Sequence, residues 1–247
     1  MDIPAYVLLS HETALRRRMD VVANNLANVS TTGFKREQPL FHETLRRSDS
    51  ATPAARAVSF VLDYGAVHDA SEGAFTVTGN PLDLAIEGEG YFSVALPGGG
   101  TAYTRAGSLL LLDDGRLGTA GGEPVLGDNG QPIPIPPEAQ GRLRLARDGT
   151  VEGPEGPLGR IAITSFADPR ALEALGNGLA TGAGGRVLPA TETRLRSGGL
   201  EASNVQPVAE TTAMIQILRA YQSSQKLGDA LNDLRKGAIQ RLGSFRN

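Results

Sequence analysis

The segment TTAMIQILRAYQSSQKLGDALNDLRKGAI, residues 211–239, sets Ala213, Ile217, Ala220, Ser224, Leu227, Leu231, Leu234 and Ala238 at intervals alternating between four and three. That spacing lines one narrow face of a helix and is the seam of a coiled coil. Met214, Leu218, Tyr221 and Ile239 widen the stripe beyond what one partner helix covers. Upstream, Ser203-Asn-Val-Gln206 has the form of a capping box, and Pro207 suits a first helical turn, where its missing N–H costs nothing. A helix is therefore expected within 204–247.

The other end of the chain repeats the design. Leu15, Met19, Val22, Leu26 and Val29 keep the same alternation, Leu8 continues it upstream, and Glu12 interrupts it. Ser30-Thr-Thr-Gly33 supplies stop and turn chemistry, so the N-terminal helical segment is expected within 1–35. Helical stability comes mostly from packing an apolar face, and the simplest burial pairs the two terminal helices as a coiled-coil stem.

Between them the period changes to two. Phe75-Thr-Val77, Leu82-Asp-Leu84-Ala-Ile86, Phe92-Ser-Val94-Ala-Leu96 and Arg142-Leu-Arg144-Leu145 alternate as half-buried strands do. Gly98-Gly-Gly, Asp113-Asp-Gly115, Asp128-Asn-Gly130, Asp148-Gly149 and Pro154-Glu-Gly156 are turn signals between strands. Residues 73–203 read as an antiparallel β domain. Residues 36–72, with the Ser48-Asp-Ser-Ala-Thr-Pro53 run, read as a linker or irregular segment with no fixed structure beyond short strands. The expected fold class is α+β, a mainly-β centre flanked by paired terminal helices.

The net charge of −3 across 247 residues gives no electrostatic case for nucleic acid, although 204–247 carries six basic side chains against three acidic ones. There is no cysteine, which excludes disulfides, thiolate metal sites and cysteine nucleophiles. The apolar run in MDIPAYVLLSHETALRRR is short, is led by Asp2 and has its arginines on the wrong side for a secretory signal. No apolar run approaches the ~20 residues that span a bilayer. His11, His42 and His68 lack metal-ligand spacing. GEGYF, residues 88–92, precedes a strand pattern and not a helix, so it reads as a turn and not as a dinucleotide cradle. Asp83, Glu87 and Glu89 read as a solvated strand face instead of a glycosidase pair. Arg16-Arg-Arg18 reads as a solvated face beside the seam. No catalytic, cofactor-binding or metal-binding set is expected.

Asn24, Asn25 and Asn28 are expensive in a helix, because asparagine side chains compete for backbone hydrogen bonds. A polar stripe beside an apolar seam can fix register between helices, which makes these amides candidates for subunit-to-subunit contact. Solvation or capping of a local turn is the other reading of the same pattern.

Four stretches, ANNLANVSTTGFKRE (23–37), TGNPLDLAIEGEGYFSV (78–94), YTRAGSLLLLDDGRLGT (103–119) and GGLEASNVQPVAETTAMIQILRAYQ (198–222), resemble the flagellar basal-body rod and hook family of axial proteins, in the family's order. The modest length suits a rod member, since hook proteins are generally much longer. The resemblance implies a structural, non-enzymatic component of the bacterial basal-body rod. It also implies export by the flagellum's own type III-type apparatus without a cleaved signal, and assembly into a helical tube crossing the periplasm. The terminal helices would form the inner tube and the β domain an outer layer. Implied partners are other rod proteins, copies of the chain itself and the export apparatus, with no nucleic acid and no membrane insertion. Asn24, Asn25, Asn28, Thr32, Gly33, Phe34 and Lys35 match the N-terminal family motif, and Glu201, Ser203, Asn204 and Val205 the C-terminal one. Together with Ile217, Tyr221, Leu227, Leu231 and Leu234 of the seam, they are the expected assembly residues. Ala106 departs from the family, where many relatives carry Asp. A secreted carbohydrate-binding or peptidoglycan-acting β protein is the reading from a different class.

Overall fold

The computed structural model describes residues 3–47, 57–168 and 172–244, and they fall into two units. One contains 1–27, 37–67 and 206–247, the other 28–36 and 68–205. The Ser48–Pro53 run lies outside the described residues.

The first unit holds two long helices, α1 (Ile3–Ala27) and α2 (Pro207–Ser244). They meet through Leu15, Val22 and Ile217, flanked by Met19, Ala213, Met214, Ala220 and Tyr221. The contacts run in opposite directions along the two helices. Leu8 faces Gly228, Glu12 accepts a hydrogen bond from the Ser224 hydroxyl (3.4 Å), Arg16 donates to the Tyr221 hydroxyl (2.8 Å), and Asn25 reaches Glu210 (3.4 Å). The pair is therefore antiparallel, and Glu12 joins the seam by hydrogen bonding across it. Pro207 is the first residue of α2, and the Gln206 carbonyl accepts the Glu210 N–H (3.0 Å). Ser203 does not cap α2. Its hydroxyl accepts the Val205 N–H (3.3 Å) in a local turn, because the chain is still extended there.

Two expectations are corrected in this part of the chain. Residues 36–72 contain a two-stranded sheet of β1 (Glu37–Arg47) and β2 (Ala57–His68), where a linker or irregular segment with at most short strands was expected. The first helix ends at Ala27, earlier than the expected Ser30–Gly33, and residues 28–36 belong to the other unit.

Strand β1 begins where Asn25 needs it. Asn25 is completely buried; its amide donates to the Glu37 carbonyl (2.9 Å), and its Oδ1 accepts the Glu37 N–H (2.8 Å). One side chain thus mimics a strand neighbour, satisfying both backbone groups of the first β1 residue, and its amide also faces the buried Glu210 carboxylate.

The second unit is built from short antiparallel strands. Its largest sheet runs in the order Glu173–Gly176, Leu179–Thr181, Thr101–Thr104, Tyr91–Ala95, Ile163–Ser165, Arg186–Val187. Phe92, Val94, Leu84, Leu117, Val125, Ile161 and Ile163 form its buried core. Glycines at positive φ make the tight turns at Gly99, Gly115, Gly130, Gly149 and Gly156. Asp83 is not on a solvated face: it is buried and accepts hydrogen bonds from Thr78 (2.6 Å) and Asn80 (2.9 Å), which pins the turn ahead of its strand. No described helix is long and apolar enough to cross a membrane.

Replacing Asn25 with Ala takes a buried side chain's bonds from two half-buried backbone groups, each costing about 1–3 kcal/mol at most, so the chain should lose roughly 2 kcal/mol of stability to urea. Asn24→Ala, at an exposed helical position, should stay within about 0.5 kcal/mol of wild type. Equal effects of the two substitutions would remove the bridging role from Asn25.

Candidate functional site

The family motifs from the two ends of the chain meet in the second unit around one carboxylate. Glu201 Oε1 accepts the Lys35 ammonium at 2.6 Å and the Gly73 N–H at 2.9 Å, while Oε2 faces Arg105 Nη1 at 3.4 Å. These three charged side chains are 4–5 % exposed. Two cations against one anion leave the buried cluster with an excess positive charge, which backbone carbonyls offset. Lys35 donates to the Ser71 carbonyl (2.7 Å), and Arg105 to those of Ile86 (3.2 Å) and Gly88 (2.6 Å). Arg105 also lies over the Tyr91 ring, 5.5 Å from its centroid. The Gly88–Gly90 stretch is thus a bend ahead of the Tyr91–Ala95 strand, and its Gly88 carbonyl binds an arginine.

Backbone bonds reinforce the clasp. The Gly33 N–H donates to the Glu201 carbonyl (2.8 Å), and the Ala202 N–H to the Ala74 carbonyl (2.8 Å). Gly33 sits at φ +68°, and a Cβ there would fall 2.5 Å from the Arg105 carbonyl carbon. Gly73 approaches so closely that a Cβ would fall 1.8 Å from the Ala202 oxygen. Only glycine fits either place.

Asn204 joins three segments at once. Its Oδ1 accepts the Arg36 N–H (2.7 Å), and its Nδ2 donates to the carbonyls of Asp69 (3.1 Å) and Ser71 (3.0 Å). The Asp69 carboxyl is held below the usual range, chiefly by the Ser71 N–H it accepts at 3.0 Å. Phe34 and Val205 flank these bonds, the Phe34 carbonyl accepting the Asn204 N–H (3.4 Å) and Val205 being buried. Asn28 and Thr31 close the turn leading in, where the Thr31 hydroxyl donates to Asn28 Oδ1 (3.0 Å), and Thr32 is half-buried in that turn.

The three asparagines therefore do not form one stripe. Asn25 is buried within its own chain, Asn24 is exposed, and Asn28 holds the turn after α1. Their periodicity is that of a helix face, but the helix ends at Ala27, which separates Asn28 from the other two. Of the seam residues, Ile217 is buried and Tyr221 and Leu231 are half-buried, while Leu227 and Leu234 are exposed. Arg16 is bonded to Tyr221 and not simply solvated. Sequence reasoning missed Arg105, whose only signal is a lone basic residue between the apolar positions of YTRAG, and it missed Glu37, Ser71 and Glu210 altogether. His11 and His42 are exposed, and the described residues contain no group of three or more potential metal ligands. The arrangement is a structural clasp: its carboxylate is saturated by cations and N–H donors and is closed to water.

Glu201→Gln strands two buried cations, so the unfolding free energy should fall by about 3–5 kcal/mol in urea titrations; a change below ~1 kcal/mol would show that the cations find other partners. The Lys35 ammonium is held below its ordinary value, 10.5, chiefly by burial and against the pull of Glu201. In the window between that lowered value and 10.5 the unfolded chain binds more protons at this residue, so Lys35's contribution to stability rises with pH. The stability difference between wild type and Lys35→Met should accordingly shift in favour of wild type as pH climbs through this window, whereas a difference that stays flat would show a solvated ammonium.

Comparison with known proteins agrees with the clasp's composition. Residues 6–35 match a family described as flagella basal body rod protein, 85–153 the flagellar hook protein FlgE/F/G D1 domain, and 196–241 the C-terminal domain of flagellar basal body rod FlgEFG proteins. The flagellar basal-body rod protein FlgF of Caulobacter vibrioides is 39 % identical over 251 residues, 99 % of this chain and 100 % of its own length. FlgF of Mesorhizobium japonicum is 30 % identical, covering 99 % of both chains. The rod protein FlgG of C. vibrioides is 36 % identical over 87 % of this chain and 89 % of its own. End-to-end alignment favours the proximal rod protein FlgF, as does the opening AYVLLSHETALRRRMDVVANN, over the distal rod protein FlgG. A carbohydrate-acting protein is not favoured by these matches. The chain belongs to the flagellar basal-body rod proteins, as a structural component of that rod of the FlgF type.

Proposed function

We propose that the first unit is the assembly element, and that copies of the chain and other rod proteins join it through heterologous, non-closing contacts, the symmetry that yields a helical tube. The observation that carries this reading is the apolar surface left on α2, where Leu227, Leu234 and Ile239 are 55, 71 and 69 % exposed. At ~25 cal/mol per Å² such a stripe is a drive toward association until other helices cover it. The alternation of fours and threes in Leu15, Met19, Val22 and in Ala213, Ile217, Ala220, Ser224 supports a coiled-coil stem that neighbouring copies extend.

Export through the flagellum's own type III-type apparatus, without a cleaved signal, and a periplasmic position within the basal body belong to the same proposal. They are supported by family membership. Asn24, Thr32 and the C-terminal seam residues are the proposed contact positions.

Leu227→Glu with Leu234→Glu places charge on this stripe at positions that support no intrachain core. The purified double variant should keep its stability within about 1 kcal/mol of wild type, while cells carrying it should be non-motile and lack a completed rod. Normal rods and swimming would refute assembly through α2.

A further inference from the structure

Resting on that reading of an assembling chain, we infer that the bend at residues 87–89 in the second unit of one copy sets Glu87 and Glu89 against Arg142 and Arg144, in a groove on the second unit of the next copy. The backbone of the bend is held at several points. The Glu87 N–H donates to the Arg194 carbonyl (2.9 Å) and the Gly88 N–H to the Glu72 carboxylate (2.7 Å), while the Gly88 carbonyl accepts from Arg105 (2.6 Å). Gly90 is buried, and a Cβ there would fall 2.6 Å from the Ile163 Cγ2. Glu87 and Glu89 are nevertheless exposed and, among the described residues, form no ion pair or side-chain hydrogen bond. Arg194 stands opposite Glu87, one step on from the Leu195–Ile86 pair, without closing an ion pair, and Glu72 adds a third exposed carboxylate. A fixed backbone that holds out unengaged carboxylates is ordered before it binds, which lowers the cost of ordering it in a contact.

The groove, of about 650 Å³, has Pro81, Leu143 and Pro154 as its apolar lining, and Arg142, Arg144 and Glu152 carry its charge. Leu143 is buried and its two neighbours are exposed, so both guanidiniums stand on the solvent side of the chain, two residues apart as the two glutamates are. Among the described residues Arg144 has no ion pair or side-chain hydrogen bond, although Glu152 is its partner in the ladder, and Arg142 gives one nitrogen to the Glu138 carbonyl (2.9 Å). The occupant is a second copy because of where acid and base lie. The turn with Pro81 precedes the strand Leu84–Ile86, and the acidic bend follows it. Bend and groove are different patches at the two ends of one strand, so a copy engaged at its bend still presents its groove to the next, the open-ended arrangement of a filament. Charge pairing of this kind sets orientation more than affinity, and so gives direction to an assembly driven by apolar surface.

Because the chain contains no cysteine, a disulfide between introduced cysteines is unambiguous. A full-length chain with Glu89→Cys on the bend and Pro154→Cys in the groove, both at exposed positions, replaces the wild-type chain in cells that are then treated with a mild oxidant. The expected product is a reducible ladder of two or more chains that neither single variant gives. Adding Arg144→Glu should cut the ladder several-fold, and Glu87→Lys in the same chain should restore it. Swimming cells with rods but no ladder would overturn the inference while leaving assembly through α2 intact. A dimer formed equally by Pro154→Cys alone, or a ladder indifferent to Arg144→Glu, would overturn it too. Should the cysteine chain build no rods, the charges decide by motility alone: Glu87→Lys with Glu89→Lys should abolish swimming, and Arg142→Glu with Arg144→Glu in the same chain should recover it. Unimpaired swimming after the first exchange, or no recovery after the second, overturns the contact.

Discussion

One buried carboxylate organises the second unit. Glu201 sits between Lys35 and Arg105, with the Gly73 N–H completing its coordination. Removing ions from water is costly, and the attraction of a buried pair repays that only where geometry is good and remaining donors are satisfied. Here the excess positive charge spreads onto the carbonyls of Ser71, Ile86 and Gly88, although the Arg105 Nε stays buried without a hydrogen-bond partner among the described residues. Such a cluster adds less net stability than its distances suggest, but it punishes any arrangement that fails to bring all of its members together. It acts as a device of specificity more than of strength.

That specificity bears on the chain ends. Lys35 and Gly33 lie a few residues after α1, and Glu201 and Asn204 a few residues before α2. Gly33 donates to the Glu201 carbonyl and Arg36 to Asn204, so the segments leading out of the second unit toward the two helices are tied to each other by backbone and side chain alike. A contact spanning 166 residues of sequence closes a long loop and forms only after intervening structure has gathered the ends. Gly33 and Gly73 are then explained by space: the backbones approach too closely for any Cβ.

How much of this was legible in the sequence depended on the range of the interaction. The helices and strands could be read because their periodicities are local: Leu15, Met19 and Val22 are neighbours in sequence and on the helix face. The strands β1 and β2 could be read only as short strands within a linker, because the Ser- and Pro-rich run lies between them, although Val58, Phe60, Leu62 and Tyr64 alternate with period two. Asn25 looked like a member of a polar stripe, because nothing local distinguishes an amide facing water from one bonded to a strand 12 residues on and a glutamate 185 residues away. Arg105 had no visible purpose until its carboxylate, 96 residues downstream, was brought to it. Family resemblance marked Lys35, Glu201 and Asn204 as a set, but their meeting is a property of the fold.

The clasp and the helix pair also divide the labour of the molecule. Glu201, Lys35 and Asn25 are bonded within their own chain, which leaves those polar groups little to offer a neighbour. The apolar stripe of α2 is in the opposite condition, with Val208, Leu227, Leu234 and Ile239 all more than half exposed. Where polar groups are satisfied internally and apolar ones are not, association is driven by a force without direction, and direction has to come from elsewhere. In the first unit the exposed apolar side chains run the length of α2, from Val208 through Ile215, Leu218 and Leu227 to Leu234 and Ile239, so the direction available is that of the helix itself.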